Sequence, residues 1–176
     1  MSSINEVPKG CIRTHSGLYI NVFDPKPEML CIEDIAHGTA YQPRFAGHLN
    51  RHYSVAQHSI LAAQKASPKN KLAALLHDGT EAFMLDLPTP IKAMLPDYKI
   101  AENKLMEVIA ERYGFQFPFD PEIKEIDKYL VNFEWEKLVD KNDMTFKCLT
   151  ALQAKKEFLR VYYELTGKEG CWETTR

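Results

Sequence analysis

The chain has 176 residues, of which 45% are hydrophobic and 26% are charged, and its formal net charge is -2. This balance is typical of one globular domain with a sizeable core, and it excludes extensive disorder. The 22 basic and 24 acidic side chains lack the basic excess that proteins binding long nucleic acids usually show. We therefore expect one domain over residues 1–176, no long nucleic-acid partner, and at most a small anionic ligand.

The cysteines indicate a reducing compartment. Cys11, Cys31, Cys148 and Cys171 are far apart and form no C-x-x-C pair, which argues against a zinc ribbon or a redox motif. The first residues lack the basic and apolar regions of a signal peptide. No apolar run approaches the roughly 20 residues that span a bilayer. We expect free thiols, a cytoplasmic location and no membrane partner.

The first part of the chain differs from the rest. Residues 14–27 mix β-branched and aromatic side chains with Gly17 and two prolines, and residues 19–23 predict a short strand. This part of the chain allows a small hairpin. From Ile32 onward the pattern becomes helical, and the first predicted helix covers residues 33–41.

The predicted second and third helices have clear start signals. Ser54, followed by Gln57 three residues later, forms a capping-box pattern that opens a helix to about residue 66. Ser67-Pro68 is an N-cap and N1 pair for a helix that we expect to run to about residue 84. The prolines within residues 87–90 must end it, since proline cannot sit in a helix interior.

Three further helices complete the predicted fold. One runs over residues 96–113 and is closed by Gly114, one runs from Asp120-Pro121 to about residue 139, and the last covers about residues 150–166 before Gly167. The pattern therefore predicts a compact all-α bundle of about six helices.

A His-Asp pair interrupts the apolar run of the predicted third helix. His77 and Asp78 are adjacent, and Glu81 lies four residues after His77, on the same face of a continuous helix. Imidazole and carboxylate together suit a divalent transition ion. The alternative is a buried histidine bonded to Asp78 with Glu81 in solvent, and the pair alone favours that alternative.

The helix over residues 121–139 carries two carboxylates within its apolar stripe. Asp127 and Glu134 fall at helical spacing from Ile123 and Leu130. Burying a carboxylate costs several kcal/mol unless something pairs with it. Two carboxylates on one buried face predict a cation, and the alternative is a pair of salt bridges to lysine or arginine.

His58 supplies a second candidate nitrogen ligand. It lies on a mostly apolar stretch, where a lone histidine is more often a satisfied core residue. With His77, Asp78 and Asp127 it would give two nitrogens and two oxygens to one ion, and positions would remain for water and substrate. The donor set suits Mn, Fe, Co, Ni or Zn. No second His-Asp pair accompanies the other histidines, so we expect a single ion.

The motifs together resemble a known family. They are, in chain order, Ile35-Ala36-His37, Arg44-Phe45-Ala46-Gly47-His48, the segment from Tyr53 to Ser59, Leu76-His77-Asp78, the segment from Asp86 to Lys92, and Asp127. As a set they are similar to HD-domain phosphohydrolases, particularly compact bacterial 5′-deoxynucleotidases. They are still more similar to phage and prophage relatives, which include dATP triphosphohydrolases. The resemblance covers about residues 12–140 and implies the HD-domain helical bundle.

The resemblance also implies roles for individual residues. The metal ligands would be His58, His77, Asp78 and Asp127. Glu81 matches the carboxylate that activates or positions the attacking water, and Asp86 matches a second catalytic carboxylate. Arg44 matches an arginine that holds substrate phosphate, and Phe45 stands where the nucleotidases have a tryptophan near the nucleobase. Relatives form dimers or rings, which implies a homo-oligomer.

Several alternatives stay open at this point. Lys92 is a candidate phosphate contact as a point charge, or an ordinary solvated lysine. The break after Asp86 would hold this carboxylate at the site, or it is a plain helix stop. The substrate is a deoxynucleoside monophosphate or a deoxynucleoside triphosphate, because both reactions cut the same bond to the 5′ carbon. The third alternative is a catalytically inactive metal-binding nucleotide sensor or structural domain.

Overall fold

The computed structural model describes residues 7–168, and helices account for most of them. The predicted all-α class with a small N-terminal hairpin is confirmed. Strand β1, Ile12–Arg13, pairs antiparallel with β2, Tyr19–Ile20, so that Ile12 lies opposite Ile20. The strand that we predicted over residues 19–23 therefore extends over only its first two positions.

Eight α-helices follow the hairpin in the described part of the chain. They are α1 Ile32–Tyr41, α2 Val55–Lys65, α3 Lys71–Leu76, α4 Glu81–Met84, α5 Thr89–Lys92, α6 Pro96–Tyr113, α7 Pro121–Trp135 and α8 Ala151–Thr166. Single 3-10 turns cover Pro27–Met29, Phe45–Gly47 and Pro68–Asn70, and a π-helical turn, Glu136–Asp140, continues α7. Within residues 7–168, no helix is long and apolar enough to cross a membrane.

Most predicted helix ends are confirmed. The Ser54 side chain accepts a hydrogen bond from the Gln57 N–H, which caps α2. The Gln57 side chain does not complete the box, because its amide bonds instead to the backbone of Lys147 and Leu149. Gly114 and Gly167 adopt left-handed conformations, at φ 79° and 65°, and end α6 and α8.

The main apolar core lies between α1, α2, α3 and α8. Its fully buried side chains include Ile35, Leu75, Phe158 and Tyr162. Burying each such side chain stabilises the fold by roughly 1.5–3 kcal/mol. Gly38 lets α1 approach α4 closely, since a Cβ there would lie 2.6 Å from the Ala82 carbonyl oxygen.

The predicted continuous helix over residues 67–84 is wrong, because the chain leaves regular α-helix between α3 and α4. The Gly79 N–H donates to the Leu76 carbonyl and the Glu81 N–H donates to the Asp78 carbonyl, which are tight 3-10-type bonds. Ile109 of α6 packs against Gly79. His77 and Asp78 therefore lie in a turn, which gives their side chains directions that a straight helix would not allow.

Candidate metal centre

Two imidazoles and a carboxylate converge from three separate elements. His58 comes from α2, His77 from the turn after α3, and Asp127 from α7. The His58 Nε2 atom lies 3.3 Å from His77 Nε2 and 3.2 Å from Asp127 Oδ1, and His77 Nε2 lies 3.9 Å from Asp127 Oδ1. Among the described residues, these three form the one group whose atoms are arranged to hold a metal ion.

Asp78 adds a second carboxylate to this cluster. Its Oδ2 atom lies 3.3 Å from His77 Nε2 and 3.7 Å from His58 Nε2. All four residues predicted as metal ligands are therefore brought together. One detail of the prediction is wrong: the Asp127 side chain is 41% exposed rather than buried, because it stands where α7 borders an open cavity.

Hydrogen bonds on the far side of each ring orient the two imidazoles. His58 Nδ1 lies 2.7 Å from Glu134 Oε1, and His77 Nδ1 lies 2.7 Å from the Ala74 carbonyl oxygen. A carbonyl can only accept, and an ionised carboxylate can only accept, so both Nδ1 atoms donate. In the neutral rings, both Nε2 lone pairs then face the cluster, which is the arrangement of metal-binding histidines.

The spacing of these donors fits a small divalent ion. Atoms that lie about 2.0–2.2 Å from a shared transition ion are roughly 3–3.6 Å apart from one another in tetrahedral or octahedral geometry. Three of the five distances that join His58 Nε2 or His77 Nε2 to another donor are 3.2–3.3 Å, and the other two are 3.7 and 3.9 Å. Two nitrogens and two carboxylate oxygens form a donor set that suits Zn, Co, Mn, Fe or Ni.

The charges at the cluster favour a cation. Burial lowers the pKa of His77, but Asp78 and Asp127 outweigh this effect and raise that pKa to about 9. Burial raises the pKa of Asp127, but hydrogen bonds with His58 and His77 hold it well below its usual range. The field that keeps a proton on His77 also attracts a metal ion, which competes with that proton for the same nitrogen.

Glu134 is a supporting residue whose partners the sequence did not reveal. This carboxylate is fully buried on α7 and accepts hydrogen bonds from the Tyr53 hydroxyl, at 2.6 Å, and from His58 Nδ1. Its other oxygen lies 3.2 Å from Arg44 Nε. Glu134 therefore follows the alternative of a salt bridge to arginine and reaches the cluster only through His58, while the cation at Asp127 stays a prediction. Its position seven residues after Asp127 in an apolar stripe was the signal.

Arg44 lies beside the cluster and is almost fully buried. Its Nη1 atom lies 3.6 Å from Asp78 Oδ2, and Glu134 pairs with its Nε atom. Burial lowers the pKa of Arg44, but Glu134, Asp78 and Asp86 raise it above its ordinary value, so the guanidinium stays charged. This placement puts a fixed positive charge next to the predicted ligands.

The two predicted catalytic carboxylates lie close to the ligands. Glu81 is buried, and burial together with Asp78 and Asp86 raises its pKa well above the usual range. Burial also raises the pKa of Asp86, against the opposing effect of Arg44. Leu85 has a positive φ of 72°, which a non-glycine residue rarely adopts. The helix α4 therefore ends at Met84, as predicted, and Leu85 turns the chain before the prolines.

Lys92 is not an ordinary solvated lysine, and its role as a phosphate contact stays a prediction. Its ammonium lies 2.7 Å from Glu102 Oε1 and 3.9 Å from Glu81 Oε1. Lys99 also bonds to Glu102, at 2.9 Å. Glu102 is buried and was not identified from the sequence. It holds Lys92 next to the predicted catalytic carboxylate.

Phe45 and His37 make aromatic contacts. Phe45 packs edge-on against Trp135, with ring centroids 5.8 Å apart, and the Arg44 guanidinium lies 5.6 Å from the centre of the Phe45 ring. His37 stacks between His15 and Tyr41, with centroid distances of 3.7 and 4.3 Å. The single metal ion stays a prediction.

The cluster opens into a cavity of about 720 Å³, a volume within the range of about 300–1,000 Å³ of small-molecule sites. His77, Asp78, Glu81 and Asp127 line it together with residues of α6 and of the loop before α7. Phe45 is not among the described residues that line it. A small molecule in this cavity would contact both the predicted metal ligands and the predicted base.

Comparisons with known proteins place the chain among uncharacterized relatives. No family model matches it. It is similar to the uncharacterized protein YfdR of Escherichia coli K12, with 39% identity over 123 residues that cover 70% of this chain and 69% of that protein. An uncharacterized protein of Rhodobacter capsulatus is 34% identical over 140 residues, which cover 72% of this chain and 71% of that protein.

Proposed function

We propose that this chain, which belongs to the same family as YfdR of Escherichia coli, is a metal-dependent phosphohydrolase that cleaves the 5′-phosphate ester of nucleotides. The observation that carries the proposal is the convergence of His58, His77 and Asp127, with Asp78 beside them, on a cavity that Glu81 also lines. The resemblance to HD-domain phosphohydrolases supports the same reaction.

The ion and the protein would divide the chemistry. When bound, a divalent ion supplies Lewis acidity, which acidifies water and polarises a phosphoryl oxygen. Glu81 accepts the proton of the attacking water. Glu81 lines the same cavity as the predicted ligands, and a carboxylate in that position can act as a general base. Asp86 orients the nucleophile or assists the leaving group, and Arg44 holds the phosphate through its planar guanidinium.

The charges of the cavity favour a monophosphate over a triphosphate. Apart from the metal ligands, its charged lining consists of Lys92, Lys99, Lys124, Glu81, Glu102, Glu107 and Asp120. Three lysines thus face four carboxylates, and two of the lysines already pair with Glu102. A triphosphate would need additional positive charge beyond the metal centre. We therefore place 5′-deoxynucleotidase activity ahead of triphosphohydrolase activity.

The test is a product assay with the purified protein, Co²⁺ or Mn²⁺, and panels of deoxynucleoside mono- and triphosphates. We expect inorganic phosphate from the monophosphates. Intact triphosphate released from deoxynucleoside triphosphates would instead establish the triphosphohydrolase. No product from either panel, with the metal bound, would overturn the enzyme proposal in favour of an inactive nucleotide sensor.

We also expect the protein to act in the cytoplasm as a homo-oligomer. Phe23, Met94 and Ile100 are exposed by 68%, 79% and 68%, respectively, and exposed apolar patches often mark contacts between subunits. Light scattering after size-exclusion chromatography measures the molar mass of the protein in solution. A mass of one chain at micromolar concentration would contradict this expectation.

A further inference from the structure

The cavity at the metal centre has a second wall of different chemistry. The loop between α6 and α7 contributes Phe117, Pro118 and Phe119, and Met106 of α6 and Ile123 of α7 lie beside them. This wall is apolar, whereas the wall formed by the metal ligands is charged. With a metal ion bound at the charged wall, a ligand that fills the cavity would place an anionic end at the ion and an apolar end at the aromatic wall.

The aromatic wall is fixed in position by the core. The rings of Phe117 and Phe119 meet edge to face, with centroids 5.0 Å apart, and Phe119 stacks on Phe115 at 6.0 Å with an angle of 10° between the rings. Both side chains are half-buried and pack against the core cluster that contains Leu105 and Ile109. An aromatic surface held in this way offers a preformed platform for a flat ring.

The helix α7 sets the distance between the two walls. Asp127 lies six residues after Pro121, which corresponds to about 9 Å along the helix axis. Phe119 precedes Pro121 by two residues. A nucleotide has its phosphate and its base at opposite sides of a sugar, so its length matches a cavity with these two walls.

We propose that Phe117 and Phe119 form the nucleobase subsite of this enzyme, and that the base stacks on this aromatic wall while the 5′-phosphate lies at the metal centre. This inference rests on the proposed function. It differs from the expectation that Phe45 contacts the base, because Phe45 packs against Trp135 and is not among the described residues that line the cavity. Asn103, which also lines the cavity, offers an amide donor and acceptor to the edge of the base.

The test compares substrates with and without a base. For the substitutions Phe117→Leu and Phe119→Leu, kcat/KM is measured for deoxyadenosine 5′-monophosphate and for deoxyribose 5-phosphate. We expect a loss of about 5- to 100-fold for the nucleotide, the range that loss of base stacking produces, and no change for the sugar phosphate. Phe23→Leu, at an exposed phenylalanine that is not among the described residues lining this cavity, is the matched control and is expected to change neither value. Phe45→Leu tests the alternative position of the base.

Two results would overturn the subsite. One is an equal loss for both substrates, which would indicate damage to the metal centre. The other is a loss that depends on the base in Phe45→Leu and is absent in Phe117→Leu and Phe119→Leu, which would place the base at Phe45.

A binding measurement on the wild-type protein separates this inference from the proposed function and also covers variants that fail to fold. Deoxyadenosine, which has no phosphate, is titrated into the metal-free protein while backbone amide resonances are followed by NMR. We expect the Phe117 and Phe119 amides to shift with deoxyadenosine and not with deoxyribose. If they do not shift, the subsite is wrong even where the enzyme hydrolyses nucleotides. If they shift but no substrate is hydrolysed, only the proposed function fails.

Discussion

Helix α2 borders two environments that are built in opposite ways. Toward α1 and α8 it presents Ala56, Ile60 and Ala63 to an apolar core. Toward α7 it presents His58 to a cluster of buried charges. In the apolar core, close packing stabilises the side chains. In the charged cluster around His58, which is the second region, not every buried polar atom has a hydrogen-bond partner within the protein.

The second region contains a buried carboxylate oxygen without a hydrogen-bond partner. Among the described residues, Glu81 Oε2 and the Tyr113 hydroxyl are buried and have no hydrogen-bond partner, whereas Arg44 Nε and Glu134 Oε2 form an ion pair at 3.2 Å. A buried polar atom without a partner costs stability, so Glu81 lowers the stability of this region. We infer that the apolar core supplies the stability that this site lowers.

The largest expected effect concerns the apolar region. Phe158→Ala removes a side chain that is 1% exposed, and loss of a core phenylalanine costs about 3–5 kcal/mol. Chemical denaturation should show this loss in the free energy of unfolding. The control is Leu152→Ala on the exposed side of the same helix, which should change stability by less than about 0.5 kcal/mol. Similar losses in both variants would contradict the assigned core.

At the metal centre, the substitution Glu81→Gln should lower turnover while the protein still folds and binds metal. Loss of the general base lowers kcat by about 10²- to 10⁴-fold, whereas the four metal ligands stay in place. Steady-state kinetics and a metal assay on the same preparation test both statements. Glu107→Gln makes the same change at another carboxylate of the cavity and should leave kcat nearly unchanged. Full activity of Glu81→Gln would show that the base assignment is wrong.

The substitution Glu134→Gln tests whether the hydrogen bond between Glu134 and His58 strengthens metal binding. The substitution removes the charge that orients His58 and pairs with Arg44, and loss of such a partner typically weakens metal binding by 10- to 100-fold. Isothermal titration with Zn²⁺ measures the change. Glu136→Gln, at an exposed carboxylate of the following turn that pairs with Lys141, is the control. Equal affinities for Zn²⁺ in the two variants would show that Glu134 does not support metal binding.

The smallest effect is a dependence of metal affinity on pH. Because the pKa of His77 in the metal-free site is raised to about 9, the metal must displace a proton below that pH. Affinity for Zn²⁺ should therefore fall about tenfold per pH unit as the pH drops from 9, since one proton is released. Calorimetric titrations in buffers of different ionisation enthalpy measure how many protons are released when Zn²⁺ binds. His15→Gln, at an exposed histidine, should leave the count unchanged, and a flat profile between pH 7 and 9 would contradict the assignment.

Several helix ends and the prominence of the candidate ligands could be predicted from the sequence for local reasons, while the metal itself stays a prediction. The Ser54 cap, Gly114 and Gly167 act within a few residues, so they are visible in the sequence. His77 and Asp78 stood out because they interrupt an apolar run.

The missed features depend on contacts between distant segments. Ile109 of α6 lies next to the turn at Gly79, and the role of Glu134 depends on Tyr53, His58 and Arg44. Glu102 could not be connected with Lys92 before α5 and α6 were placed together. Helical spacing identified Glu134 as a carboxylate that needed a partner, but it could not identify that partner.

The most direct test of the metal centre is a count of bound Co²⁺ by equilibrium dialysis, with visible absorption to report the ligands. We predict one ion per chain in the wild-type protein and in Glu81→Gln, and loss of that ion in His77→Ala and in Asp78→Ala. Unchanged Co²⁺ binding in His77→Ala, or no binding by the wild-type protein, would contradict the assignment of this cluster as a metal centre.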